Sequence, residues 1–515
     1  MYLGIDCGTQ GTKALLIDED GTTLGRGYTA HAIVERASGA REQEPQWWVE
    51  ALRSSVAEAL SMVQHPKVLA LAVSGQQHGL VVLDENNKVI RPAKLWNDTE
   101  TASQNAELIE RFGGKQAYFE RFGVVPLTGY TVSKLLWLKQ REPENFARIR
   151  HILLPHEYLN FHLTGNFHAE YGDASGTAFF DVRSRTWIRE ILDFIDDGEG
   201  HLFAALPTLL RTDEITGKIL PEIATDLQLL PDCVVASGGG DNMMGAIGTG
   251  NIREGVVTLS LGTSSTVYSY RTKPISDPSG DVAPFCSSSG GWLPLVCTMN
   301  ATNVVNGTLE ALGKTIADID PALDDTEPGA EGLITMPFHN GERTPDMPRA
   351  RGSILGFTAN NFTSSNMIRS VIEGVTFGIL NGLDRILGED KPRKILVIGG
   401  GARSSAWRQM LADVTGATIQ VPVEEEAGCL GAAIQAIYQY HHQGGRTVTF
   451  EELADRLVKT DETKTVNAHP SRFESYLNAR LAYTYAVDQV YNHDDLSPVF
   501  AKQASAPDSE KSKPS

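Results

Sequence analysis

Short apolar runs alternate along this chain with longer stretches in which apolar residues recur at helical spacing, the pattern of an α/β protein. The segments "YLGI" (2–5) and "ALLI" (14–17) predict strands flanking a Gly/Thr turn, and "DEDGTT" (18–23) predicts the turn into a further strand. "WWVEALRSSVAEALSMV" (47–63) carries helical periodicity, and "VLALAVSGQQHGLVVLD" (68–84) predicts a buried strand pair broken at "GQQHG". From about 100 to 230 the pattern is mainly helical, with loops. "VVASGGGDNMMGAIGTG" (234–250) then predicts strand, glycine loop and a helix of small residues. "VVTLSLGTSSTVYSY" (256–270) predicts strand, turn and strand, and "KILVIGGGARSSAWRQMLADVTGATI" (394–419) a strand, three glycines and a helix.

The hairpins at the starts of the two halves share one plan: an apolar strand, Gly-Thr among small polar residues, then a second strand. Two copies about 250 residues apart predict two related domains, 1–248 and 249–485, with a cleft between them, and are too few and too distant for a solenoid. The chain's 515 residues suffice for two domains with sizeable cores. "AKQASAPDSEKSKPS" (501–515) is polar and aromatic-free, and a tail over 500–515 is expected to be disordered.

Charge narrows the partners. A formal net charge of -19 disfavours nucleic acid, because phosphate backbones recruit Lys and Arg. A phosphorylated small molecule must then be held by backbone N–H groups, a metal ion and a few placed cations. The 5 cysteines show no metal-like spacing, no apolar run is long enough for a membrane helix, and Met1 leads directly into "YLGIDCG" without a signal-like segment. A reduced, cytoplasmic enzyme without membrane partners is expected, with a homodimer left open.

Several segments carry candidate chemistry. In "DCGTQGTK" (6–13), Gly8, Thr9, Gln10 and Gly11 present N–H groups and a hydroxyl suited to phosphate oxygens, Lys13 adds a cation, and Asp6 is a candidate Mg²⁺ ligand. "SLGTSS" (260–265), with Gly262 and Thr263, supplies a second hydroxyl-rich turn. Gly400, Gly401 and Ala402 follow a strand where nucleotides approach backbone, though glycines there serve equally for helix–sheet packing. Asp241 in "GGGDN" is either a helix cap or a proton acceptor for a hydroxyl nucleophile. Gln77 and His78 offer a donor/acceptor wall for a polyol, with a structural histidine as the alternative. Trp96 is either core or an apolar face for sugar carbons.

In their order, "GIDCGTQGTKALLID", "SGQQHG", "LWND", "SGGGDNMMGAIG", "LSLGTSS", "GERTPDMPRARG" and "GGGARSSAWRQMLADVTG" resemble the FGGY carbohydrate kinases from residue 1 to about 485. The resemblance implies two actin-like, ribonuclease H-like α/β lobes with a catalytic cleft between them, using ATP and Mg²⁺. It implies Asp241 as catalytic base, Gln77, His78 and Asn242 at the sugar, and Asp6 at the metal. Thr9, Gln10, Gly11, Lys13, Gly262 and Thr263 would meet phosphates, and Gly400, Gly401, Ala402 and Ser405 the adenosine. "GQQHG", "WND" and "GERTP" point within the family to a ketopentose, D-xylulose, phosphorylated at O5, with ribulose or a related polyol as alternative. An actin-like ATPase chaperone is disfavoured by the polyol wall. Two positions depart from the family pattern: Gln77 stands where many relatives on this sugar have Met, and Ser405 where some have Asn.

Overall fold

Asp6 is the penultimate residue of a strand whose two neighbours set the plan of its sheet. The computed structural model describes residues 1–339 and 341–491; the expected tail at 500–515 lies outside them. Seven strands form the first sheet: β1 (Tyr2–Cys7), β2 (Gly11–Ile17), β3 (Thr23–Ala30), β4 (Ala70–Gly75), β5 (Gly217–Lys218), β6 (Val234–Val235) and β7 (Gly239–Gly240). Their order is β5-β6-β4-β1-β2-β3, with β7 also pairing β4. β1 runs antiparallel to β2 and parallel to β4, so that Asp6 lies opposite Lys13 on one side and Ser74 on the other.

A second sheet contains β8 (Val256–Leu261), β9 (Ser265–Ser269), β10 (Leu295–Thr298), β11 (Lys394–Ile398) and β12 (Thr418–Gln420), in the order β10-β9-β8-β11-β12. Counted by appearance in the chain, and leaving aside the edge strand β5 and the short β7, both sheets run third, second, first, fourth, fifth. The repeated hairpin expected from the sequence is thus the visible part of a repeated sheet, and each sheet has the ribonuclease H-like order. The strand pair expected over 68–84 does not form as such. β4 joins the first sheet, while Val81–Leu83 pairs with His151–Leu153.

The chain divides into two compact units that interleave in sequence, whereas the expected domains followed chain order. The first takes Met1–Thr258, Tyr268–Leu295 and Pro422–Asp461; the second takes Leu259–Val267, Val296–Val421 and the described residues after Asp461. In the first unit the helix Pro45–Ser61 starts with proline at its first turn and buries Trp48, Leu52, Val56 and Ala59 on one stripe. That stripe joins Leu3, Ile5 and Val73 of the sheet in one core. The late segment of this unit, helix Ala427–Gln443, packs on β1 and on helix Asp241–Gly248. Glycine at the contact is obligatory: a Cβ on Gly431 would sit 1.8 Å from the Met244 carbonyl oxygen. Among the described residues no helix is long and apolar enough to cross a membrane.

Candidate active site

The carboxyl ends of β1, β4 and β7 bring the first unit's candidate residues together, at the edge of a parallel arrangement where ligands approach open sheets. Gly240 pairs with Gly75 in register, so Asp241 begins its helix directly beyond the sheet. Asp6 is fixed by its register neighbour, with Ser74 Oγ donating to Asp6 Oδ1 at 2.6 Å.

Asp241 is half-buried, and its Oδ1 accepts from the backbone N–H of Asn242 at 2.8 Å and from Asn242 Nδ2 at 3.0 Å. Asn242 Nδ2 also donates to Gln77 Oε1 at 2.9 Å. Burial pushes the Asp241 carboxyl up to about 7, the charge of Asp6 pushes the same way, and the Asn242 hydrogen bonds oppose it. An ordinary N-terminal helix carboxylate would be held low by the helix dipole. Asp241 therefore has the properties of a proton acceptor poised near neutrality rather than those of a simple cap. Asp6 is also raised by burial, against the opposing effects of Ser74 and Lys13.

His78 sits in the left-handed region at φ 64°, held there by its own carbonyl, which accepts from Lys134 Nζ at 2.6 Å and from Thr131 Oγ1 at 3.2 Å. Its ring stacks on Tyr130 with centroids 4.4 Å apart. Nδ1 lies 2.8 Å from the Gly176 carbonyl oxygen, which only accepts, so Nδ1 carries a hydrogen. Lys134 is drawn down to about 7 by burial, so this deeply placed amine is only partly charged near neutrality.

The loop between β1 and β2 opens on a cavity of about 440 Å³ lined by Asp6, Gly8, Thr9, Gln10, Gly11 and Lys13, with Trp96 and Asn97. Trp96 Nε1 donates to Thr9 Oγ1 at 2.9 Å, which places the indole in the loop's wall. Lys13 Nζ forms an ion pair with Glu426 at 2.5 Å, a partner the sequence reading missed. Burial lowers the Lys13 amine, but Glu426 outweighs it and the net effect is upward. Among the described residues no group of three or more His, Cys, Asp or Glu is arranged to hold a metal. A single carboxylate, Asp6, facing a polar cavity fits a cation that keeps most of its water, as Mg²⁺ does.

In the second unit, Gly262 and Thr263 form the turn between β8 and β9, and Thr302 donates to the Gly262 carbonyl through both N–H (3.0 Å) and hydroxyl (2.7 Å). The three glycines after β11 divide their work. Gly399, at φ 86°, has the Leu261 carbonyl oxygen 2.7 Å from where a Cβ would stand, and Gly401 has Leu261 Cβ at 2.7 Å. Both are packing glycines against β8. Gly400 meets nothing within 4 Å and lines a cavity of about 280 Å³ with Gly401, Arg403, Ser404, Asp320 and Trp407. Ala402 is buried, and its carbonyl accepts from Arg408 at 2.6 Å. Ser405 Oγ donates to Asp320 Oδ2 at 2.6 Å, and Ser404 Oγ hydrogen-bonds the other oxygen. Burial works against the Asp320 carboxylate, but these hydrogen bonds hold it below the usual range. Asp320 lies about 80 residues before the glycines, with no local signal to mark it.

The first unit thus holds Asp241, raised toward neutrality, beside the amides of Asn242 and Gln77, and a glycine-threonine loop opening on a polar cavity. Residues 1–248 match the N-terminal domain, and 257–440 the C-terminal domain, of the FGGY family of carbohydrate kinases. The chain belongs to that family and is a carbohydrate kinase. It is 44% identical over 499 residues, 95% of this chain and 100% of the relative, to a xylulose kinase of Haemophilus influenzae. A xylulose kinase of Streptomyces rubiginosus is 37% identical, over 85% of this chain and 87% of its own length. The crystal structure of the xylulose kinase of Bifidobacterium adolescentis is similar with a TM-score of 0.79 at 30% identity, covering 93% of this chain and 99% of that one.

Proposed function

We propose that this chain transfers the γ-phosphoryl group of ATP to O5 of D-xylulose. The observation that carries the reading is Asp241, raised to about 7 and tied through Asn242 to Gln77, in a chain similar over almost its whole length to xylulose kinases. In the reaction Asp241 takes the proton of the O5 hydroxyl, O5 bonds to the γ-phosphorus, and the bond from that phosphorus to the bridging oxygen breaks, releasing ADP. General-base catalysis of this kind contributes ~10²–10⁴-fold.

Gln77, His78 and Asn242 orient the ketose. Trp96 stiffens the loop through Thr9 and forms the wall between loop and sugar. The turns Thr9–Gly11 and Gly262–Thr263 are assigned to phosphate oxygens, although the N–H groups of Gly8 and Gly262 already donate to the carbonyls of Gly11 and Ser264, and Gly400, Gly401, Ala402 and Ser405 are assigned to the adenosine. Asp6 would hold hydrated Mg²⁺, which when bound neutralises charge on phosphate oxygens. Lys13 reaches phosphate only by leaving Glu426. A reducing cytoplasm suits such an enzyme.

A coupled ADP-release assay across D-xylulose, D-ribulose, aldopentoses and glycerol tests the reading. D-Xylulose should give the highest kcat/KM. A higher value for ribulose would transfer the assignment to that sugar, and no response to any ketopentose would end it.

A further inference from the structure

Behind the sugar wall lies a buried acidic group that the reaction above does not use. Asp173, in the short helix Tyr171–Ala174, is 0% exposed. Its Oδ2 is 2.7 Å from His156 Nδ1, and its N–H donates to Glu170 at 2.5 Å. Glu170 also takes the N–H of Gly172 and the hydroxyl of Ser288, so the element carrying Asp173 is fixed from several sides. Yet Asp173 Oδ1 is buried without a hydrogen-bond partner. So is Gln77 Nε2, although Gln77 Oε1 is taken by Asn242. A buried polar atom without a partner forfeits its hydration for nothing, so each one calls for a group that would meet it.

The two side chains meet at one residue. A Cβ built on Gly240 would sit 2.8 Å from Gln77 Cγ, 3.0 Å from Gln77 Cδ and 3.1 Å from Asp173 Oδ1. Gly240 carries no side chain and immediately precedes Asp241. An unmet donor and an unmet acceptor thus flank the same bare backbone, one residue from the proton acceptor. A hydroxyl group satisfies both at once, as a water molecule does in its absence, accepting from the amide while donating to the carboxylate.

We propose that Asp173 is a specificity-determining residue of the sugar site, reading together with Gln77 one ketose hydroxyl other than the reacting one. This rests on the reading of the site as a ketose kinase. The role differs from that of the His78 wall, which offers a ring nitrogen. Here a buried carboxylate enforces the direction of the hydrogen bond. A sugar lacking that hydroxyl, or presenting it on the wrong face, leaves both atoms unmet, and a site built around a hydroxyl rejects such analogues strongly.

The test measures kcat/KM for D-xylulose and its 1-, 3- and 4-deoxy analogues on the wild type and two variants. Asp173→Asn keeps an oxygen toward the N–H of His156 and turns a donor toward Gln77. Gln77→Met removes the amide and leaves Asp173 in place, covering the case in which the first variant does not fold. In the wild type one deoxy analogue should be disfavoured by about ten-fold or more. That penalty alone should shrink in each variant, while KM for ATP stays unchanged. Equal losses for all four sugars in the variants, or penalties that remain at every position, would reduce Asp173 to a structural partner of His156 and overturn the proposal. A wild-type enzyme inactive on D-xylulose but active on another sugar class would instead remove the underlying assignment.

Discussion

Gly428 lies against the carboxylate of Asp6: a Cβ on this glycine would stand 3.0 Å from both Asp6 Cγ and Asp6 Oδ2. Gly428 is in the first turn of helix Ala427–Gln443, so its bareness lets the helix start close on the carboxylate. Gly428→Ala should displace Asp6 and lower kcat by about ten-fold or more, with a stability loss of ~1–3 kcal/mol from overpacking. Steady-state kinetics and a denaturant titration check this. An unchanged kcat would remove any need for Asp6 to stay where it is.

Removing the proton acceptor should separate activity from stability. Asp241 titrates at about 7 in the folded protein, above its ordinary value, so the fold favours the protonated form. Its contribution to stability is fully present below the ordinary carboxylate range and is lost as pH rises through about 7. Asp241→Asn should therefore lose ~10²–10⁴-fold in kcat while melting a few degrees higher than wild type at pH 8. At pH 4 the melting difference should vanish. Thermal unfolding at both pH values decides it, and a variant less stable at pH 8 would contradict the placement of the charge.

The same group should shape the rate profile. Catalysis needs the Asp241 carboxylate, so kcat/KM should fall as pH drops through about 7. Because the charge of Asp6 raises Asp241, Asp6→Asn should move this acid limb to lower pH while lowering the maximal rate by an order of magnitude or so. A pH series at saturating ATP reads both effects. An acid limb that stays in place would show that the two carboxylates do not interact.

Asp320 should matter to one substrate only. It gathers the hydroxyls of Ser404 and Ser405 and the N–H groups of Ser405 and Ala406 beside the Gly400 cavity. Asp320→Ala should raise KM for ATP by about ten-fold and leave KM for the sugar unchanged. Equal rises for both would point to a general loss of structure.

Motifs local in sequence were legible, because the chemistry that marks them also shapes them. Glycine and threonine at 8–12 bend the chain and line a cavity, and "GGGDN" forms a turn and starts a helix. The shared hairpin disclosed the repeated sheet, since its two strands are consecutive. What stayed hidden depends on long-range return of the chain. Nothing near Lys13 announces Glu426, nothing near Gly400 announces Asp320, and nothing near Gln77 announces Asp173. Glycine is ambiguous for the same reason. Gly399 and Gly401 look alike in sequence, yet Leu261 of β8 by itself requires both to be bare, and of the two only Gly401 also lines the Gly400 cavity.

Interleaving of the two units imposes an order on biosynthesis. Strand β1 is among the first segments to leave the ribosome, but the helix that covers it, pressed to within a Cβ's width of Gly4, is among the last. Until residue 443 has emerged, the Gly4 face of β1 and its neighbours has no cover, and Asp6 lacks the helix start at Gly428. A nascent or truncated chain ending at residue 421 therefore carries most of the site residues and yet exposes an apolar sheet face open to aggregation. A chain terminated before this helix should therefore lack kinase activity even though it carries Asp6, Gln77, His78 and Asp241.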